Sequence, residues 1–341
     1  MKKILALVIV LTMVMAMAAC GSGTVNEGTK SPSAETSQVV EQSDAQSSEP
    51  AGDGIVVGWL KKNTTNVFET YINQGGDEYL EEMKSQGVIA DYISFDGNTD
   101  PSTQISQASD LVNLGVDVAI LQPAEADGSA PALQTLVDAG IPVVVVNART
   151  SNTDDLAAAY VGSYDVDAGE IMGNFVVDTL GETGGYCHLM GAVGNSAAIQ
   201  RTEGVHNILD GKSGWTMLDE QTAEWQGDKA SRFTQDWIAL YGDQLDAIIC
   251  DNDDMSVAAK IACIEAGRED IVVIGVDAID SALAMVKSGE LDATVFQDGK
   301  GQGRIAAQTA VDVALGKEVE KETWIPFVLI TSENIDEYYQ G

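Results

Sequence analysis

The chain has 341 residues, 45% of them hydrophobic, with 18 Lys and Arg against 53 Asp and Glu for a formal net charge of −35. That is room for about two domains with real cores. So large an acidic excess repels phosphates, which excludes nucleic acid and an unaided anionic bilayer as partners.

The chain opens on Lys2 and Lys3, runs through an apolar stretch at 4–18 and reaches small residues just before Cys20. This is the pattern of a secretory signal, too short between its flanks for a spanning helix. Its ending, Met17-Ala18-Ala19-Cys20, resembles a bacterial lipobox, which implies a signal peptide over 1–20 and a lipid on Cys20. Residues 21–53 are Ser, Thr, Gln, Glu and Gly with almost no large apolar side chain, so they cannot bury enough surface to offset the entropy of ordering. A disordered tether is expected there, holding the folded part off the outer face of the cell membrane, with the lipid as its sole membrane contact.

Five short apolar runs follow at 118–122, 143–147, 247–253, 272–277 and 293–297. Continuous Val- and Ile-rich runs separated by amphipathic, helix-length segments are what a parallel sheet covered on both faces requires. Each run ends in an amide or a carboxylate: Gln122, Asn147, Asp251 with Asn252 and Asp253, Asp277, and Gln297. In open α/β sheets ligands bind outside the carboxyl ends of the strands, so these groups should converge on one crevice suited to a small polar molecule. Glycines 87, 115, 140, 181, 211, 242, 267, 289 and 316 mark the helix ends, and Asp100-Pro101 supplies a cap and a first-turn proline. The count comes to about nine β-to-α units. The pattern breaks near Tyr160-Val161-Gly162 and restarts at 186–190, which predicts two similar α/β lobes enclosing a ligand and closing by a hinge. One final strand over 324–330 should cross between them after the last helix.

Cys187, Cys250 and Cys263 fit no zinc or redox spacing. They read as buried small hydrophobes or, for Cys187 with Cys250, as a disulfide of an exported protein. Asp96, Asn98 and Asp100 imitate the start of a calcium loop, but Pro101 and Gln107 stand where its glycine and bidentate glutamate belong, so no metal is expected. Asp253 and Asp254 are adjacent and cannot flank a glycosidic bond from both sides. His188 and His206 lack a nucleophile motif, and no Gly-rich dinucleotide fingerprint follows the first strand. The chain is expected to be no enzyme and to need no cofactor.

Three stretches carry a family resemblance: Asn66-Val67-Phe68, Asp251-Asn252-Asp253-Asp254-Met255, and Gly275-Val276-Asp277-Ala278 with its continuation over 282–289. From Gly54 onward the chain resembles the periplasmic sugar-binding proteins of the ribose and galactose type, the solute receptors of ABC importers. The resemblance implies two Rossmann-like lobes with parallel sheets joined by a multi-strand hinge, the type I periplasmic-binding-protein fold. The first lobe would hold 54–162 and 298–325, the second 163–297 and 326–341. It also implies a monomer that presents a monosaccharide, an aldohexopyranose such as galactose or glucose, to a membrane-embedded permease. Pentoses, inositols and nucleosides are the other ligands considered, and a chemotaxis or histidine-kinase partner the other destination. A DNA-binding regulator of the same fold would need a basic headpiece where this chain has its export signal.

For the site, the resemblance places Phe68 and Trp225 on the two sides of a sugar ring, where aromatic faces suit C–H surfaces. The alternatives are a core role for Phe68 and a strand-end role for Trp225. Asn147, Arg201, Asn252, Asp277 and Gln297 form the implied polar rim, with Asn66 and Gln122 beside them. Asn252 and Asp277 also stand where they could cap helices. Several positions depart from the galactose pattern: Asn66 replaces an Asp, Ala148 a Lys, and Asn195 and Ala197 a His and a second Asp. Arg149 would either stand in for the lost lysine or be a surface charge.

Overall fold

The computed structural model describes residues 54–340; the expectations for the signal peptide, Cys20 and the tether lie outside them. The apolar runs become strands, sorted into two six-stranded sheets. The first has the order β11 (Glu322–Trp324), β5 (Ala159–Gly162), β4 (Val143–Val146), β3 (Val118–Leu121), β1 (Val56–Lys61), β2 (Asp91–Asp96). The second repeats that order as β12 (Val328–Ile330), β10 (Ala293–Phe296), β9 (Val272–Asp277), β8 (Ala247–Cys250), β6 (Gly184–Met190), β7 (Trp215–Thr222). All pairings are parallel except β10 with β12. Residues of β3, β4, β5 and β8 are buried throughout, as strands covered on both faces must be.

In the first lobe the sheet is covered by α1 (Val67–Ser85), α2 (Pro101–Leu114), α3 (Ala130–Asp138), the single turn α4 (Thr153–Leu156) and α10 (Gly299–Ala314). In the second the cover comes from α5 (Asp165–Leu180), α6 (Ser196–Leu209), α7 (Gly227–Tyr241), α8 (Asp253–Glu265), α9 (Asp280–Ser288) and the short α11 (Ile335–Tyr338). Each sheet separates two apolar clusters, one per face. Asp100 caps α2 by accepting from the Ser102 amide at 2.9 Å, with Pro101 in the first turn. At the other end Gly115 adopts φ 69°, and its amide closes the helix on Leu111 and Val112. Gly211 is the exception among the predicted helix ends: it is absent from the left-handed residues, and α6 stops at Leu209 with Asp210 as its C-cap.

The backbone passes between the lobes three times: from β5 to α5, from β10 to α10, and from β11 to β12. The single final strand expected over 324–330 is two, one in each sheet, and α11 follows them. Pro326 lies between the two pieces and has no N–H to give a ladder, so the chain changes sheets there. Cys187, Cys250 and Cys263 are buried free thiols, so the Cys187–Cys250 disulfide does not form. Burial pushes the Cys187 thiol up to about 12, which leaves it inert. Among the described residues no helix is long and apolar enough to cross a membrane.

Candidate functional site

The strand ends do converge. A cavity of about 350 Å³ opens between the lobes, with Lys62 and Asn63 following β1, Asn147 following β4, Asn252 following β8, Asp277 ending β9 and Gln297 following β10 in its wall. Its volume lies at the small end of the range for small-molecule pockets. The first lobe adds Phe68 from α1, and the second adds Trp225 from the turn before α7. Both rings rest on glycines: a Cβ on Gly299 would lie 2.9 Å from the Phe68 ring, and one on Gly191 only 2.1 Å from the Trp225 ring. The sequence therefore removes side chains where the aromatics must lie flat.

Backbone strain is concentrated on this wall. Seven non-glycine residues among those described have positive φ, and five of them, Thr99, Asn147, Glu224, Trp225 and Asp277, line the cavity. Such conformations persist only where the surroundings over-determine them. For Asp277, with φ 121°, the cause is Asp253 at the start of α8. Asp253 accepts from the amides of Ala278 (2.8 Å) and Ile279 (3.3 Å) and from the hydroxyls of Thr294 and Ser256. That grip holds the 277–279 turn and aims Asp277 into the cleft. Asp277 is thus not the cap of α9, whose N-cap residue is Ile279.

Arg201 is buried and its guanidinium is committed on three sides. It donates to Asp165 at 2.9 Å, to the Asp251 carbonyl at 2.5 Å and to Gln297 Oε1 at 2.9 Å, while Asp277 lies 4.0 Å away. Asp277 is 4% exposed and has no hydrogen-bond donor among the described residues. Burial pushes its carboxyl well above the usual range, against the pull of Arg201, and Asp253, Asp254 and Glu69 add to the rise. Gln297 Nε2 and Trp225 Nε1 are buried without partners. A buried polar atom left unpaired costs about 1–3 kcal/mol. An acceptor on Asp277 and two buried donors on Trp225 and Gln297, all residues of the cavity wall, thus lack partners among the described residues. Asn252 caps α8 through the Met255 amide at 3.1 Å with its oxygen, and Asn147 donates to Gln302 at 3.0 Å.

Two of the expected residues lie elsewhere. Gln122 is fully buried behind the wall, donating to Glu69 and accepting from the Lys62 amide at 3.4 Å, so it braces the site without lining it. Arg149 faces away: it pairs with Asp154 and Glu322 and stacks 3.9 Å over the Tyr160 ring near the lobe crossing, so it does not replace a cleft lysine. Asn66 and Asn195 line the cavity, yet each caps a helix, α1 and α6 respectively, and bonds to the opposite lobe.

Lys62 and Glu69 were not anticipated. They form a buried ion pair at 2.7 Å in the wall, and Lys62 Nζ lies 5.5 Å from the centroid of the Trp225 ring. The signal was present, since β1 also runs into polar residues at its carboxyl end. His188 is buried between Glu220 and Asp251, 3.0 Å from each, and supports the Asp251 backbone that holds Arg201. Among the described residues no cluster of three or more His, Cys, Asp or Glu could hold a metal ion.

Comparison with known proteins places the chain among binding proteins of this fold. The periplasmic binding protein domain matches residues 57–318. A protein named for rhizopine binding from Rhizobium meliloti is 35% identical over 80% of this chain and 88% of its own length. A xylitol-binding protein from Mycolicibacterium smegmatis is 31% identical over 84% of this chain and 81% of its own length. Among solved structures, an ABC transporter solute-binding protein from Bacillus halodurans C-125 with bound myo-inositol is 31% identical, with a TM-score of 0.78 over 83% of this chain and 96% of that one. The chain belongs to the periplasmic binding protein family, whose relatives named here are binding proteins and not enzymes.

Proposed function

We propose that the chain is the extracytoplasmic receptor of an ABC importer, tethered through Cys20, and that it captures a neutral six-membered polyhydroxylated ring, a cyclitol before a pyranose. The observation that carries this reading is the unsatisfied set in the cleft wall: the Asp277 carboxyl, Gln297 Nε2 and Trp225 Nε1, set beside the faces of Phe68 and Trp225. Ring hydroxyls both donate and accept, so one ring can answer all three groups while its C–H faces lie on the aromatics. An anionic ligand is disfavoured because both cations of the cavity wall already have carboxylate partners, Lys62 with Glu69 and Arg201 with Asp165.

The likeness of 275–278 to galactose-binding proteins favours galactose or glucose. Ala148 and Ala197 remove polar contacts of that pattern, and the relatives bound to or named for polyols favour the cyclitol. The test is a thermal-shift and calorimetric screen of the purified chain with myo-inositol, galactose, glucose, ribose and xylitol. A ligand that binds only the folded state raises Tm by mass action. Myo-inositol should give the largest shift, and Trp225→Ala should weaken its binding by about thirtyfold or more with the fold retained. A hexose shift alone would select the pyranose; no shift with any of the five would overturn the reading.

A further inference from the structure

We infer that Asn66 and Asn195 are positioning residues that latch the lobes shut, not ligand contacts: each caps a helix of its own lobe with its side-chain oxygen and gives its side-chain nitrogen to the opposite lobe. Asn66 accepts from the Glu69 amide at 3.4 Å at the start of α1, and its Nδ2 donates to Asp254 Oδ2 on α8 at 2.9 Å. Asn195 accepts from the Ala197 amide at 3.0 Å at the start of α6, and its Nδ2 donates to the Ala124 carbonyl at 3.0 Å. Around Asn195 the turn makes two further cross-lobe bonds. Gly194 accepts from the Ala126 amide at 2.9 Å, and the Ser196 hydroxyl accepts from the Arg149 amide at 2.8 Å.

The comparison with Asn252 shows that this is not a property of every capping asparagine. Asn252 also caps its helix, through the Met255 amide, but its nitrogen makes no hydrogen bond to protein among the described residues and lies in the cavity wall. Capping is what makes an asparagine a good latch. The cap bond fixes the oxygen, so the nitrogen is already aimed before the lobes meet, and little further side-chain entropy is lost on closure. The two latches have different acceptors, a carboxylate for Asn66 and a main-chain carbonyl for Asn195, and the charge-assisted bond is the stronger kind. Opening the cleft must break both, so closure is favoured by bonds that exist only in the closed state.

This inference rests on the reading of the cleft as a ligand site that closes, and its test separates the two. Asn66→Ser and Asn195→Ser keep a capping oxygen but are too short to reach the other lobe. With myo-inositol as the probe, each should speed dissociation by about tenfold with little change in association rate. The ligand-free Tm should stay close to that of the wild type. Asn66→Asp sets a carboxylate against Asp254 and should weaken binding further, whereas Asn66→Asp combined with Asp254→Asn puts the donor on the other side of the cleft and should restore it. Failure of the paired exchange to restore binding would overturn the latch and return Asn66 to the ligand. Amide hydrogen exchange at Ala126 and Arg149 in the ligand-free chain gives a readout that needs no ligand. Faster exchange in Asn195→Ser supports the latch even if myo-inositol does not bind, and unchanged exchange overturns it.

Discussion

Asp277 is a carboxyl group without a donor, held in a strained backbone turn and raised by burial, in the wall of a cleft that offers a ligand. Hydroxyls of a bound polyol would donate to its ionised form, so the complex prefers the carboxylate while the empty cleft prefers the acid. Binding therefore releases a proton at pH values between that of the complex and the raised value of the empty cleft, and affinity should climb with pH across that interval and level off above it. Calorimetry with myo-inositol across about pH 4.5 to 8 should show this rise, by up to tenfold per pH unit. Asp277→Asn should weaken binding and flatten the profile; an unchanged slope in that variant would assign the proton to another group, with Asp254 the first candidate. Much of the wall was legible because strand ends in a parallel sheet share one side, which places Asn147, Asn252, Asp277 and Gln297 by counting alone. Side-chain direction was not legible. Gln122 ends a strand as they do, yet it points behind the wall to Glu69, and Arg149 is only two residues past Asn147 but is drawn to Tyr160 and Glu322.

At the scale of elements, the site depends on helices that touch backbone to backbone. A Cβ on Gly169 of α5 would lie 2.1 Å from the Arg201 carbonyl of α6, and one on Gly204 of α6 would lie 2.1 Å from the Val166 carbonyl of α5. This approach is what brings Asp165, in the first turn of α5, within 2.9 Å of the Arg201 guanidinium. The first lobe uses the same device between α1 and α10, where a Cβ on Gly303 would sit 1.9 Å from the Ile72 carbonyl. Gly204→Val should push α5 and α6 apart, at a cost of about 1–3 kcal/mol in stability. It should also weaken ligand binding, because Arg201 loses its fixed seat. Urea unfolding and calorimetry on the same variant check both effects, and full stability with full affinity would show that the helices yield without moving Arg201. Sequence alone reveals glycines at helix ends by their position after an apolar stripe. A glycine inside a helix registers only as weakened propensity, since its partner lies on another helix. Pro326 was equally visible, but its consequence, a strand cut between two sheets, depends on where the lobes lie.

The whole molecule combines a net charge of −35 with buried ionisable groups whose shifts act in the same sense. His188, between Glu220 and Asp251, is held protonated, its value raised from 6.5 to about 9 by the two carboxylates against the opposing effect of burial. A raised histidine contributes stability in full below its unfolded value and loses it as the pH climbs to the folded one, here between 6.5 and about 9. Burial raises Asp253 from 3.8 to about 7 and lifts Asp277 as well. A raised carboxyl costs stability as the pH rises from its unfolded to its folded value, so the Asp253 cost accumulates up to about pH 7 and the histidine loss continues beyond it. Glu220 and Glu322 act oppositely at the acid end. His188 and Arg149 respectively hold them below the usual range, so their contribution is present above their unfolded values and lost as the pH falls. Maximum Tm is therefore expected at about pH 4 to 5, where the Glu220 and Glu322 contributions are nearly complete and the Asp253 cost has only begun, with a steady decline toward pH 9. Thermal melts at constant ionic strength should show it, and a Tm that rises between pH 7 and 9 would contradict the assignment. His188→Gln isolates the histidine: it should lower Tm most at pH 6, where the ion pairs of the wild type are complete, and least at pH 9.5, where the wild type has lost them too. Because Asp251 joins His188 to Arg201 through its own carbonyl, the same variant should lose ligand affinity alongside stability at pH 6, so that one buried ring supports both the fold and the cleft.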